Sequence, residues 1–198
     1  SFKVQGDFTT VEGKAFKAEL ATTFSSEQEA SSFLEQNIDA TFYVSSIEKK
    51  PATKSPAAPF TTSTLQQEAS RKLGFSVSRT MQNAQRLYEA GLITYMRTDS
   101  VNLSKQALSQ AASVIETNYG KEYVRINQYK TSKKGAQEAH EAIRPTDLSR
   151  MSVDVEFDQK QLYELIWKRT LASQMSLAQL ERTVARITTD KHNHDFVA

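Results

Sequence analysis

Lys49-Lys50-Pro51-Ala52-Thr53-Lys54-Ser55-Pro56-Ala57-Ala58-Pro59-Phe60 separates two kinds of sequence in this chain. Three of the chain's four prolines fall here, each withdrawing a backbone donor and disfavouring helix in the residue before it, so the stretch reads as a linker or domain crossing. Upstream, Phe2 and Val4, then Phe16, Ala18 and Leu20, alternate around Glu12-Gly13-Lys14, the pattern of a hairpin. Ser25 or Ser26 then caps a helix with Ala30, Phe33 and Leu34 on one face and Glu29 at capping-box spacing from Ser26; Thr41 to Lys50 returns to strand. Downstream the period changes. Thr62 or Ser63 caps a helix bearing Leu65, Ala69 and Leu73 that Gly74 ends, and a second helix runs to Gly91 with Val77, Met81, Ala84, Leu87 and Tyr88 facing inward, a helix-turn-helix-like pair.

Ser104 caps a third helix, with Ala107, Leu108, Ala111, Val114 and Ile115 on one face and Gly120 closing it. Gln137 to Thr146 reads as a short helical turn halted by Pro145. Asp158 is positioned to cap a further helix with Leu162, Leu165, Ile166 and Trp167 on its apolar side, and Thr183 to Thr189 alternates as a strand. The fold class expected is therefore α+β: a first β-rich part over 1–58, an inserted mainly helical domain over 59–150, and a second part of the β-rich domain over 151–198. No internal repeat at a fixed period is visible.

With 198 residues, 38% of them hydrophobic, the chain can bury one good core or two small ones. Net charge is only +2, so attraction for nucleic acid must come from local clustering of Lys and Arg, as at Lys130, Lys133 and Lys134. Cysteine is absent, which removes disulfides, thiolate zinc sites and cysteine nucleophiles together. No apolar run reaches bilayer-spanning length, and a cytoplasmic setting is expected. The start, Ser1-Phe2-Lys3-Val4, is mid-strand in character, with neither an initiator Met nor a signal peptide, which suits part of a larger protein.

Candidate chemistry centres on Gly91-Leu92-Ile93-Thr94-Tyr95-Met96-Arg97-Thr98-Asp99-Ser100. If this segment is extended, Tyr95 and Arg97 share a face while Met96 points into protein. A tyrosine here is either a core ring or a nucleophile. A phenol titrates near pH 10 and is weakly nucleophilic until positive charge favours phenolate, and a phosphoryl-transfer transition state gains charge that Arg97 and His140 can offset. On the expected helical turn Arg144 lies one turn after His140, on the same face. No Walker A or dinucleotide-binding glycine pattern is present, so the chemistry is expected to need no ATP. His192-Asn193-His194 reads as a hairpin tip, and Asp154, Glu156 and Asp158 as an acidic lead-in to a helix, so no metal site is expected within the chain.

Three stretches carry a resemblance to a family: Pro59 to Ala69, Gln85 to Ser100, and Glu138-Ala139-His140-Glu141-Ala142-Ile143-Arg144-Pro145-Thr146. In order and identity they resemble the signature segments of bacterial type IA DNA topoisomerases. The resemblance implies that Tyr95 attacks a phosphodiester of single-stranded DNA to give a 5′-phosphotyrosine, and that strand passage and religation change the linking number. It implies catalytic roles for Arg97 and His140 at the scissile phosphate, and DNA-groove roles for Gln85, Glu89, Thr98, Asp99 and Arg144. It also implies a β-rich arch carrying the helical domain, and an Mg²⁺-binding Toprim domain that this chain lacks. On that expectation Mg²⁺ serves the full-length enzyme only, the partners are single-stranded DNA and the missing domains, and the chain alone is inactive. The rival reading is a helix-turn-helix-like nucleic-acid-binding module without catalysis. Recombinase and relaxase patterns of dispersed arginines or paired metal histidines are not found.

Overall fold

The structure is a computed structural model that describes residues 1–129, 140–191 and 194–198. It forms two compact units, Ser1–Thr53 with Gln179–Ala198, and Lys54–Ala178. The division between them falls at 53/54 and at 178/179. Among the described residues no helix is long and apolar enough to cross a membrane.

In the first unit the hairpin forms as expected. Strand β1 (Gln5–Thr9) pairs antiparallel with β2 (Ala15–Leu20) in the register Gln5↔Glu19 to Thr9↔Ala15, closed by Gly13 at φ 83°. Helix α1 (Glu27–Gln36) starts at Ser26, whose hydroxyl accepts from the Glu29 amide while the Glu29 carboxylate reaches back, and it buries Ala30 and Phe33 but leaves Leu34 exposed. Strands β3 (Phe42–Lys54), β4 (Ala178–Thr189) and β5 (Phe196–Val197) complete a sheet of order β1-β2-β5-β4-β3. Phe8 anchors the core, its ring 5.3 Å from those of Phe42 and Phe196 and 5.6 Å from Phe16.

The expected linker begins too early. Strand β3 runs through Pro51 to Lys54. The sheet order explains this, because β3 is an edge strand and an edge tolerates a residue with no N–H to give.

The second unit holds α2 (Thr62–Leu73), α3 (Val77–Glu89), α4 (Lys105–Tyr119) and α5 (Phe157–Ser173). Helix α2 is capped by Thr61, one residue before the candidates Thr62 and Ser63, and ends at Gly74 in the left-handed conformation. Helix α3 turns Thr80, Asn83, Ala84 and Leu87 inward, so Val77 and Tyr88, expected inside, are exposed. Helix α4 is capped by Ser104 and closed at Gly120, as its sequence predicts.

Helix α5 is capped at Glu156, without a side-chain cap bond, and Asp158 pairs instead with Arg79 at 2.7 Å. Its place in the chain puts it with the β-rich part, yet it packs against α2, α3 and α4 and buries a broad face including Leu162, Tyr163, Ile166, Trp167 and Leu171. Its two polar rings are satisfied on the helical side, Trp167 Nε1 donating to the Leu148 carbonyl at 2.8 Å and Tyr163 Oη to that of Arg150 at 2.7 Å. A helix this deeply covered is a core element wherever it falls in the chain. Leu162→Ala should therefore destabilise the helical unit by about 2–5 kcal/mol, measured by urea unfolding followed through the fluorescence of Trp167, the only tryptophan. An unchanged midpoint would remove α5 from this core.

Candidate active site around Tyr95

The path to Tyr95 is set by the end of α3. Gly91 sits at φ 70° with open space around its α-carbon, so it is the backbone conformation that requires glycine here. The Gly91 amide donates to the Tyr88 carbonyl at 2.8 Å and the Leu92 amide to that of Leu87 at 2.9 Å, a Schellman closure that turns the chain back along the helix. Ile93 then buries completely, Tyr95 and Arg97 emerge, and Met96 between them is 1% exposed. This is the facing expected for an extended segment, although only Ile93 forms a bridge, to Pro145.

Two threonine hydroxyls hold the segment. Thr94 Oγ1 donates to the Ala142 carbonyl at 2.7 Å and accepts from the Arg144 amide at 2.9 Å, tying the residue before Tyr95 to the stretch that carries His140. Thr62 Oγ1, in the first turn of α2, donates to the Met96 carbonyl at 2.7 Å and accepts from the Thr98 amide at 2.9 Å, so it straddles Arg97. Sequence reasoning misses both threonines as parts of a site. The run Thr61-Thr62-Ser63-Thr64 signals a helix cap, but nothing local shows that one of its hydroxyls reaches across the unit.

Residues 140–146 are not helical; Gln137, Glu138 and Ala139 of the expected turn lie outside the described residues. Their amides find acceptors on other segments instead: Ala142 on the Asn102 carbonyl and Ile143 on that of Phe60, both at 2.8 Å, and Thr146 on Leu92 at 3.0 Å. The expected facing of His140 and Arg144 on one helical side therefore does not occur. Arg144 Nη2 and Nε bond the Glu141 carboxylate at 2.7 and 3.2 Å, and Nη1 the Pro145 carbonyl at 2.9 Å, with 13% of the side chain exposed. This arginine braces the loop.

An open cavity of about 410 Å³ gathers Arg97, Thr98, Asp99 and His140 with Thr61, Thr62 and Ser63 at the start of α2. A guanidinium, an imidazole and the positive end of a helix dipole thus face one space, a donor set suited to phosphate, with the Asp99 carboxylate beside it. Tyr95 lies two residues from Arg97 but outside this lining, 44% exposed, its ring edge-on to that of Tyr88 at 5.2 Å. Gln85 and Glu89 are bonded to each other at 2.7 Å on α3, one turn apart, and line no part of the cavity. His192 and Asn193 lie outside the described residues, while His194 packs near Phe33 in the first unit.

The chain as a whole matches the family model for DNA topoisomerase, over residues 1–198. It is 56% identical over 149 residues to DNA topoisomerase 1 of Zymomonas mobilis, covering 74% of this chain and 12% of that protein. To DNA topoisomerase 1 of Escherichia coli it is 50% identical over 165 residues, covering 81% of this chain and 19% of the relative. A solved structure of full-length topoisomerase I from Thermotoga maritima superposes with a TM-score of 0.71 at 37% identity, covering 100% of this chain and 33% of that one. An α+β chain with an inserted helical unit, its tyrosine and arginine held outward by threonine clamps, defines the class. This chain belongs to the DNA topoisomerase family, of the bacterial type IA kind. It spans between about an eighth and a fifth of the two named sequence relatives.

Thr62→Val keeps the shape of the side chain and deletes the clamp. It should cost about 1–3 kcal/mol in urea unfolding and release the Arg97 backbone, seen as faster amide exchange at Thr98; unchanged exchange there would mean the clamp is not what holds the segment.

Burial pushes the Glu141 carboxyl up, but hydrogen bonds from Arg144 and Ser104 outweigh it and hold the pKa below the ordinary glutamate value. A depressed folded pKa stabilises above the unfolded pKa and is lost as pH falls through the folded one. Arg144→Gln should thus lower stability at pH 7 by more than at pH 3, read from urea midpoints at the two pH values. An equal loss at both would discount the ion pair.

Proposed function

We propose that this chain carries the nucleophile of an ATP-independent DNA topoisomerase that relaxes negatively supercoiled DNA. The Tyr95 phenol oxygen attacks the phosphorus of a phosphodiester in single-stranded DNA and gives up its proton. The bond from phosphorus to the 3′ oxygen breaks, that oxygen takes a proton to become a 3′-hydroxyl, and the 5′ side remains as a phosphotyrosine ester. One P–O bond is exchanged for another of the same kind, so resealing after strand passage is the reverse step and needs no ATP. Arg97 and His140 offset charge on the phosphoryl oxygens, and Thr98 and Asp99 line the same cavity.

The observation that carries the reading is the outward pairing of Tyr95 and Arg97 on a segment whose intervening Met96 is buried, whose Met96 carbonyl accepts from Thr62 and whose Thr94 hydroxyl donates to the Ala142 carbonyl. A tyrosine placed only to fill a core would face the other way. Against a groove-docking helix pair, α3 packs on α5 and its Arg79 and Arg86 pair with Asp158 and Glu156. Mg²⁺ is assigned to the Toprim domain of the full-length enzyme. The protein works in the bacterial cytoplasm on chromosomal DNA, in concert with Toprim and strand-holding domains.

The test is a denaturant-stable adduct between the full-length protein and a single-stranded oligonucleotide in Mg²⁺. Label at the 3′ end should travel with the protein, label at the 5′ end should be released, and Tyr95→Phe should form no adduct. Retention of the 5′ label, or an adduct that survives Tyr95→Phe, would overturn the assignment.

A further inference from the structure

Tyr88 is the aromatic ring beside the nucleophile that the cleavage reaction leaves unused. It sits on the last turn of α3, where the neighbouring Leu87 is fully buried and closes the core, while Tyr88 is 40% exposed. Its ring meets Tyr95 with centroids 5.2 Å apart and planes inclined at 63°, an edge-to-face contact. The two residues are seven apart in sequence. They meet because the Gly91 closure, which uses the Tyr88 carbonyl itself, folds the following segment back along the helix, and because Thr94 then fixes where Tyr95 leaves the backbone.

We propose that Tyr88 is a positioning residue for the nucleophile, its ring selecting the side-chain rotamer from which Tyr95 attacks. This rests on the reading of Tyr95 as the nucleophile. The backbone at 94–98 is bonded on both sides, but an exposed tyrosine on a fixed backbone still has three staggered χ1 wells. In-line attack on phosphorus needs the phenol oxygen in one place, so time spent in the other wells is lost to the reaction. A wall of aromatic carbon against one side of the Tyr95 ring favours the well that keeps the contact. An aromatic pair of this kind biases such an equilibrium by about two- to tenfold. The contact is ring against ring, which Tyr88→Phe retains.

The experiment uses the full-length protein carrying Tyr88→Phe, Tyr88→Leu or neither, with adduct formation followed over a range of single-stranded oligonucleotide concentrations. Tyr88→Leu should lower the first-order rate of adduct formation at saturation by about two- to tenfold and leave the half-saturating concentration unchanged. Tyr88→Phe should restore the wild-type rate. A rise in the half-saturating concentration with the rate unchanged would make Tyr88 a DNA-contact residue and overturn the proposal, as would a Phe variant as slow as the Leu variant. A Tyr88→Leu protein that no longer unfolds cooperatively near the wild-type temperature would make the ring structural and equally overturn it. If the wild-type protein forms no Tyr95-dependent adduct, both readings fall; if it does and Tyr88→Leu matches it, only this one does.

Discussion

Four backbone amides between Ala142 and Thr146 are given away to acceptors on three other segments. They bond Asn102 before α4, Phe60 before α2, the Thr94 hydroxyl beside Tyr95, and Leu92 after α3, and Pro145 has no amide to place. Buried amides must find acceptors, and a helical turn would have used them locally. Because they are used across the unit instead, this short stretch registers the starts and ends of three helices against one another. His140 reaches the cavity with Arg97 as a consequence of that register.

The threonine clamps extend the same logic to side chains. A hydroxyl can donate and accept at once, so Thr62 binds a carbonyl and an amide of the Tyr95 segment, which has almost no regular structure of its own, and Thr94 within that segment binds a carbonyl and an amide of the stretch 142–144. The segment can then be exposed at Tyr95 and Arg97 without being loose. Glu141 and Arg144 brace the other side, with the Ser104 amide also bonded to Glu141, so among the described residues the charges nearest His140 within its own stretch are paired with each other.

Much of the architecture is legible in local pattern. The hairpin at Gly13, the Ser26 capping box, the Ser104 cap and the Gly74 and Gly120 ends each depend on residues within a turn of one another, which is the range over which a sequence speaks plainly. Three expectations fail where the answer lies further off. Pro51 looks like a break, but an edge strand admits it. Gln137 to Thr146 looks helical, but the described part spends its amides elsewhere. Helix α5 looks like part of the β-rich unit by its place in the chain, and its buried face belongs to α2, α3 and α4.

Sequence alone determined the hairpin, the bodies of the helices and the side chains that are candidates for chemistry, because caps, periodicity and the alternation of Tyr95, Met96 and Arg97 are short-range properties. Only the tertiary structure decided that Arg97, Asp99 and His140 share a cavity, that Gln85, Glu89 and Arg144 do not line it, that Thr62 and Tyr88 meet the tyrosine segment and that its Thr94 bonds Ala142. The physical reason is that each of these depends on a hydrogen bond or ring contact between separate segments, most of them 30 or more residues apart, and no local preference encodes such a pairing.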